Sequence, residues 1–251
     1  MRAFTLDSFE TSPRLRNDLP TPQPDENELL VRVRASSVNP VDAAVASGML
    51  KGMVEYEFPV TLGRDFAGVV EAVGSSVSLY GPGEEVYGFL PLADPAAHAG
   101  SWADYAVVSE GTSVAHKPAS ADFATAGSAP VAGLTATAAI DALGLGVGAT
   151  VLVVGASGGV GSLVVQLAAA EDANVLATGL PEDRDFLLAL DATIVIDRNA
   201  DLAATIREAY PGGVDALLDL VTREPDASLL KPGGRLASSI GLRATDPAAR
   251  T

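Results

Sequence analysis

Cysteine is absent from this sequence, and histidine occurs only twice, as His98 and His116, in 251 residues. The first absence removes disulfides, a thiol nucleophile and thiolate metal ligation together. The second leaves too few imidazoles for a histidine-built metal centre. Neither histidine sits in a motif, and both read as structural or exposed. Basic residues are outnumbered by acidic ones, 16 to 32, for a net charge of -16. Such a chain repels phosphate backbones and anionic lipid surfaces, so neither nucleic acid nor a membrane is expected as a partner. The opening MRAFTLDSFE lacks the long apolar core of a secretory signal, which points to the cytoplasm.

One further absence misleads. Residues 142–170 carry no charge, and that length could cross a bilayer. The same stretch contains Gly144, Gly146, Gly148, Gly155, Gly158, Gly159 and Gly161, which would break up a spanning helix and suit turns. The remaining composition, 48% hydrophobic and 19% charged, is that of an ordinary globular chain long enough for one large domain or two modest ones.

The pattern changes along the chain. Up to about residue 122, short apolar runs alternate with Gly and Pro, and in LLVRVRA the alternation of Val31 and Val33 with Arg32 and Arg34 is that of a half-buried strand. A β-rich barrel or sandwich is expected over 1–122. Over 123–251 strands alternate with helices: strands at 150–154, 174–178, 193–197, 214–220 and 234–239, with helical patterns at 160–171 and 201–209. That order predicts a parallel sheet with crossover helices. The chain ends ten residues after Gly241, leaving five such strands where a doubly wound dinucleotide fold has six, so the expectation is a domain lacking its C-terminal segment.

Within VLVVGASGGVGSLVVQLAAA, the run Val151 to Val154 reads as a central parallel strand. After the glycines, Val160, Leu163, Val164, Leu167 and Ala168 form one helical stripe. Strand, glycine loop and helix in this order make the dinucleotide-binding turn, with G-x-G-x-x-G appearing as Ala156, Gly158 and Gly161. Absent side chains let the backbone approach a pyrophosphate, and the helix start binds its charge. A tight turn with no ligand is the bland alternative, disfavoured by the strand-helix alternation that follows. An NAD site would place an acid about 20 residues on. Here Thr178 and Gly179 end the second strand, and Arg184 and Arg198 beyond could pair with a 2′-phosphate or simply be solvated charges. NADP(H) is the expected cofactor.

Taken together the motifs resemble the zinc-independent branch of the medium-chain dehydrogenase/reductases, the NADPH:quinone oxidoreductase and ζ-crystallin-like group. The resemblance rests on SSVNPVD at 36–42, TLGRDFAGVVEAVG at 61–74, GEEVYG at 83–88, GSWADYAVV at 100–108, PVAGLTATAAI at 130–140, GASGGVG at 155–161 and LKPGGRLASSIG at 230–241. It implies a GroES-like catalytic domain followed by a Rossmann cofactor domain. Zinc-dependent relatives carry a cysteine near Pro40 to Asp42 and Gly-His-Glu where this chain has Gly63, Arg64 and Asp65, so no metal is expected. By the same resemblance Asn39 borders nicotinamide and substrate as the one catalytic candidate, and Thr135 lies near the nicotinamide. Ala156, Ser157, Gly158, Gly159 and Val160 cradle the pyrophosphate. Thr178, Gly179, Arg184 and Arg198 line the adenosine end, and Ser239, Ile240 and Gly241 lie by the nicotinamide ribose. Asn39 before a proline is also a good turn residue, and Thr135 could cap a helix.

The implied activity is hydride transfer from NADPH to a quinone or an activated alkene such as an enone or enal. Where relatives carry a long polar or aromatic side chain after the position of Asp42, this chain reads AAVASG. Tyr56, Lys51 or solvent remain as proton sources. That scarcity keeps open a non-catalytic NADPH-binding or sensor protein on the same fold. Relatives continue past SSIG with a last strand through which they often dimerise, so a homodimer is expected of the full-length protein.

Overall fold

Short apolar runs interrupted by Gly and Pro give the first half of the chain strands and little helix. In the computed structural model, which describes residues 1–92, 100–111 and 113–240, the first unit spans Met1–Val131 and the second Ala132–Thr251. The first comprises β1 (Ala3–Leu6), β2 (Arg14–Arg16), β3 (Glu28–Ala35), α1 (Pro40–Ala46), β4 (Val60–Thr61), β5 (Asp65–Val73), β6 (Glu85–Phe89), β7 (Tyr105–Ser109), β8 (Val114–His116) and α2 (Phe123–Ser128). They form two antiparallel sheets, ordered β2-β1-β4 and β7-β3-β5-β6-β8. Leu29, Val31, Phe66, Val70 and Val86 fill the core of the larger one.

The expected alternation of Val31 and Val33 with Arg32 and Arg34 is present, and it does not extend back to Leu29 and Leu30. Leu29, Leu30 and Val31 are all buried, and exposure begins at Arg32 and Arg34. The register against β5 slips between Leu30 and Val31 and again between Val33 and Ala35. Such irregularities bend a strand and change which side of it is covered. At Gly68 a Cβ would stand 2.3 Å from the Arg32 carbonyl oxygen, so the two strands approach here as only glycine allows.

Helix α3 (Pro130–Leu143) leads into β9 (Thr150–Val154), α4 (Gly159–Ala170), β10 (Asn174–Gly179), α5 (Arg184–Ala189), β11 (Ile194–Asp197), α6 (Leu202–Ala209), β12 (Val214–Asp219) and β13 (Leu230–Ser238). The sheet is parallel, ordered β11-β10-β9-β12-β13. Strand β9 is central because both its faces are apolar: Val151 and Val153 pack with Val164, Val165 and Ala168 of α4, while Leu152 packs with Ile206 of α6 on the other side. The chain winds outward from β9 in one direction, then crosses to β12 and winds in the other, which is the doubly wound arrangement expected from the sequence. Strand β13 begins at Leu230 rather than 234, but Lys231–Gly234 bulge out of its ladder: Gly233 has φ of 80°, and the register passes from Val214 opposite Leu230 to Ala216 opposite Arg235. The strand lies at the sheet edge, where Pro232 costs no ladder hydrogen bond. Among the described residues no helix is long and apolar enough to cross a membrane, and residues 142–170 instead supply the end of α3, β9 and α4.

Candidate functional site

The glycines between β9 and α4 divide into two kinds. Gly155 has φ of 87°, a left-handed conformation that side chains resist, and its carbonyl oxygen would lie 2.2 Å from a Cβ on Gly161. These two are required by the chain itself. Because Gly155 makes the turn, the first place of the pattern can hold Ala156, which is fully buried. Gly158 and Gly159 differ: both are exposed, and a Cβ on either would meet nothing in the chain closer than 3.4 Å. Packing does not demand glycine at these places, whereas close approach of a ligand to the backbone does. Gly158 begins α4 with no side chain capping it, so the first-turn N–H groups and the helix dipole face outward, as pyrophosphate binding requires. Ser157 and Val160 are half-buried, and Val160 packs on the core. Helix α3 adjoins this loop at Ala132, and Thr135, three residues on, is half-buried on the same helix.

At the end of β10 the side chain of Thr178 is almost wholly buried, and its Oγ1 accepts the Gly155 N–H at 3.0 Å. The hydroxyl therefore faces the glycine loop. Gly179 is explained by packing, since a Cβ there would sit 2.7 Å from Leu187 of α5. No carboxylate ends this strand; the nearest acid on the following turn, Asp183, spends an oxygen on the Leu180 N–H at 2.9 Å. Arg184 opens α5, and the Arg198 backbone N–H donates to the Gly179 carbonyl at 2.8 Å. Both arginines thus flank the end of β10, both are exposed, and among the described residues neither forms an ion pair. Ser239 and Ile240 follow β13 at the same carboxyl edge of the sheet and are exposed; Gly241 lies outside the described residues, as does His98.

In the first unit, Asn39 precedes α1. Its side-chain N–H groups donate to Ser37 Oγ at 2.7 Å and to Asp65 Oδ2 at 2.9 Å. Asp65 is fully buried; it also accepts the Ser37 hydroxyl at 2.5 Å and, through Oδ1, the Val131 N–H at 2.9 Å in the first turn of α3. A carboxylate at that helix start is favoured by the dipole as well as by the bond. The Asn39 backbone N–H donates to Asp42 at 2.7 Å. Burial pushes the Asp42 carboxyl above the usual range, opposed by that hydrogen bond and by the Arg64 charge. Arg64, buried nearby, is held below its ordinary value by the same desolvation, against the pull of Asp42. Tyr56 is likewise raised by burial and donates to the Val45 carbonyl. Lys51 lies over the Phe9 ring, 5.5 Å from its centre. His116 is exposed and meets Glu84 at 3.2 Å. Among the described residues, no three His, Cys, Asp or Glu side chains gather as a metal site.

Two residues central to these arrangements were not singled out as site residues from the sequence. Asp65 joins partners at 37, 39 and 131, separations that no local pattern carries. Asp219, buried at the end of β12, accepts the Val221 and Thr222 N–H groups and the Thr222 hydroxyl, fixing the loop whose Val221 side chain would meet a Cβ on Gly155 at 2.7 Å. An aspartate followed by threonine three residues later is a turn signal that would have found it.

Residues 25–119 match the family model for an alcohol dehydrogenase GroES-like domain, and residues 159–248 that for a zinc-binding dehydrogenase. The NAD(P)H oxidoreductase RTN4IP1, mitochondrial, of Homo sapiens is 38% identical over 217 residues, covering 78% of this chain and 52% of that protein. The NADPH-dependent alkenal/one oxidoreductase, chloroplastic, of Arabidopsis thaliana is 32% identical over 234 residues, 91% of this chain and 59% of its own. The solved structure of the quinone oxidoreductase from Coxiella burnetii matches with a TM-score of 0.82 and 32% identity, over 95% of this chain and 75% of that one. The chain spans about half the length of the mammalian relatives it matches.

Proposed function

Because this chain belongs to the quinone oxidoreductase group of the medium-chain dehydrogenase/reductases, we propose that it binds NADP(H) and passes hydride to a quinone or an activated alkene without a metal. The observation that carries this reading is the pair of exposed glycines, Gly158 and Gly159, which the fold itself does not require. The names of the relatives, a quinone oxidoreductase and an alkenal/one oxidoreductase, support the two substrate classes. The choice of NADP(H) over NAD(H) rests on the missing acid at the end of β10 and on Arg184 and Arg198 beside it.

In this mechanism the chain binds and orients. The loop and the start of α4 neutralise the pyrophosphate, and the two arginines take the 2′-phosphate. NADPH, when bound, would supply the hydride, and solvent would supply the one proton that completes the reduction. Asn39 acts through its Oδ1, because both its side-chain hydrogens are committed to Ser37 and Asp65. It would therefore accept a hydrogen bond from its ligand and would not donate to the carbonyl oxygen being reduced. Purified protein should oxidise NADPH with a panel of quinones and enones, followed by absorbance; failure across the panel overturns the reading.

That same commitment of Asn39 favours a second reading, a non-catalytic NADPH-binding protein. It predicts a thermal shift with NADPH and no turnover with any acceptor.

A further inference from the structure

We propose that Thr178 is a positioning residue for the pyrophosphate loop, acting through Gly155 and not through the adenosine that its place at the end of β10 would suggest. The inference rests on the cofactor reading above and deepens it. Thr178 is 4% exposed, so its hydroxyl serves the interior. Its Oγ1 accepts the Gly155 N–H at 3.0 Å, across 23 residues of sequence. Gly155 is the pivot of the loop. Its φ of 87° turns the chain out of β9, its carbonyl oxygen accepts the Gly158 N–H at 3.2 Å, and the same oxygen bars any side chain from Gly161. With the N–H held by Thr178 and the carbonyl held by Gly158, the peptide planes flanking Gly155 cannot rotate. The exposed Gly158–Gly159 backbone and the first turn of α4 are thereby aimed before any ligand arrives, which lowers the ordering cost of binding. Valine matches threonine in shape but lacks the acceptor, so it would leave a partly buried N–H unpaired in the native loop and free that loop to rotate.

The test titrates two probes, NADPH and adenosine 2′-monophosphate, into the wild type, Thr178→Val and Thr178→Ser. The second probe lacks the pyrophosphate. Thr178→Val should weaken NADPH about tenfold and leave adenosine 2′-monophosphate within about twofold, and Thr178→Ser should restore the wild-type value. Equal weakening of both probes overturns the proposal, because Thr178 then acts at the adenosine. Unchanged NADPH affinity overturns it as well. A wild type that does not bind NADPH overturns the cofactor reading itself, a result distinguishable from a wild type that binds and a valine variant that loses nothing. One measurement needs no variant: in the ligand-free wild type the Gly155 amide should exchange with solvent at least about tenfold more slowly than that of Gly159. Exchange of the two at one rate removes the anchor from the argument.

Discussion

The two units hold their polar groups in opposite ways. Around Asp65 in the first unit, donors turn inward: Ser37, Asn39 and the Val131 N–H all converge on one buried carboxylate. Around the glycine loop in the second unit, the backbone of Gly158 and Gly159 is left facing out, with an uncapped helix start behind it. A closed cluster spends its hydrogen-bonding capacity on the fold, whereas an open one keeps it for something the chain does not contain. The contrast separates residues that build the site from residues that meet its ligand.

The largest effect should come from breaking the closed cluster. Asp65→Ala leaves a hydroxyl, an amide and a backbone N–H without their acceptor, and should cost about 4 kcal/mol in urea unfolding. Asp65→Asn, which keeps one acceptor oxygen, should cost about half as much. A loss under about 1 kcal/mol for alanine would mean the cluster is incidental to the fold. Next in size is the pair of glycine substitutions. Gly161→Ala drives a methyl against the Gly155 carbonyl and should cost about 3 kcal/mol. Gly158→Ala should leave stability within about 0.5 kcal/mol while weakening NADPH about tenfold, since its Cβ occupies ligand space only. Equal destabilisation by both would erase the distinction between fold glycines and ligand glycines.

That distinction also explains what could be read without a structure. The second unit was legible because its signals are local: the continuous run Val151 to Val154, the stripe on α4 and the strand-helix alternation each lie within one element. Strand β9 appears with the expected ends, and the neighbouring strands differ from expectation by a residue or two. Strand β13 departs most: it starts four residues before the expected 234, because Leu230 already pairs with Val214 ahead of the Lys231–Gly234 bulge. The glycine pattern could be found but not sorted, since only the surroundings reveal that Gly155 and Gly161 serve packing while Gly158 and Gly159 do not. In the first unit the strand content was legible and the polar cluster was not. Residues 37, 39, 65 and 131 are brought together by sheet pairing and a helix start, and no spacing in the chain announces it. Asn39 was found by resemblance alone, and the direction of its hydrogen bonds, which decides what it can do for a ligand, required Asp65.

A smaller effect is expected at the two arginines flanking β10. Arg184→Ala and Arg198→Ala should each weaken NADPH about fivefold by titration and leave NADH unchanged, as exposed charges paired with a phosphate would. Equal affinity of the unmutated protein for both cofactors would overturn the phosphate assignment.

The smallest effect again sets one unit against the other, now in acid. Among the described residues, the carboxyls held below their ordinary range lie mostly in the first unit. Asp18 is lowered to about 2 by its hydrogen bond from Arg16, Asp104 is lowered by Arg2 and Asp7 by Arg14, while the second unit shows Asp215, lowered by Lys231. A carboxyl whose folded pKa is depressed contributes stability that is present above its unfolded value, near 3.8, and is lost as pH falls toward the folded one. Between about pH 4 and pH 2 the first unit should therefore weaken more than the second. Asp42, raised by burial, runs the other way and offsets part of the loss. These pairs are exposed and screened, so the difference should shrink in high salt. The sole tryptophan, Trp102, belongs to the first unit, and the long helices α3 and α4 lie wholly or mainly in the second. On acidification at low salt, Trp102 fluorescence should change before the helical circular dichroism falls, and the two transitions should draw together as salt is added. Coincident transitions at low salt, or loss of helix first, would show that surface ion pairs do not distinguish the units.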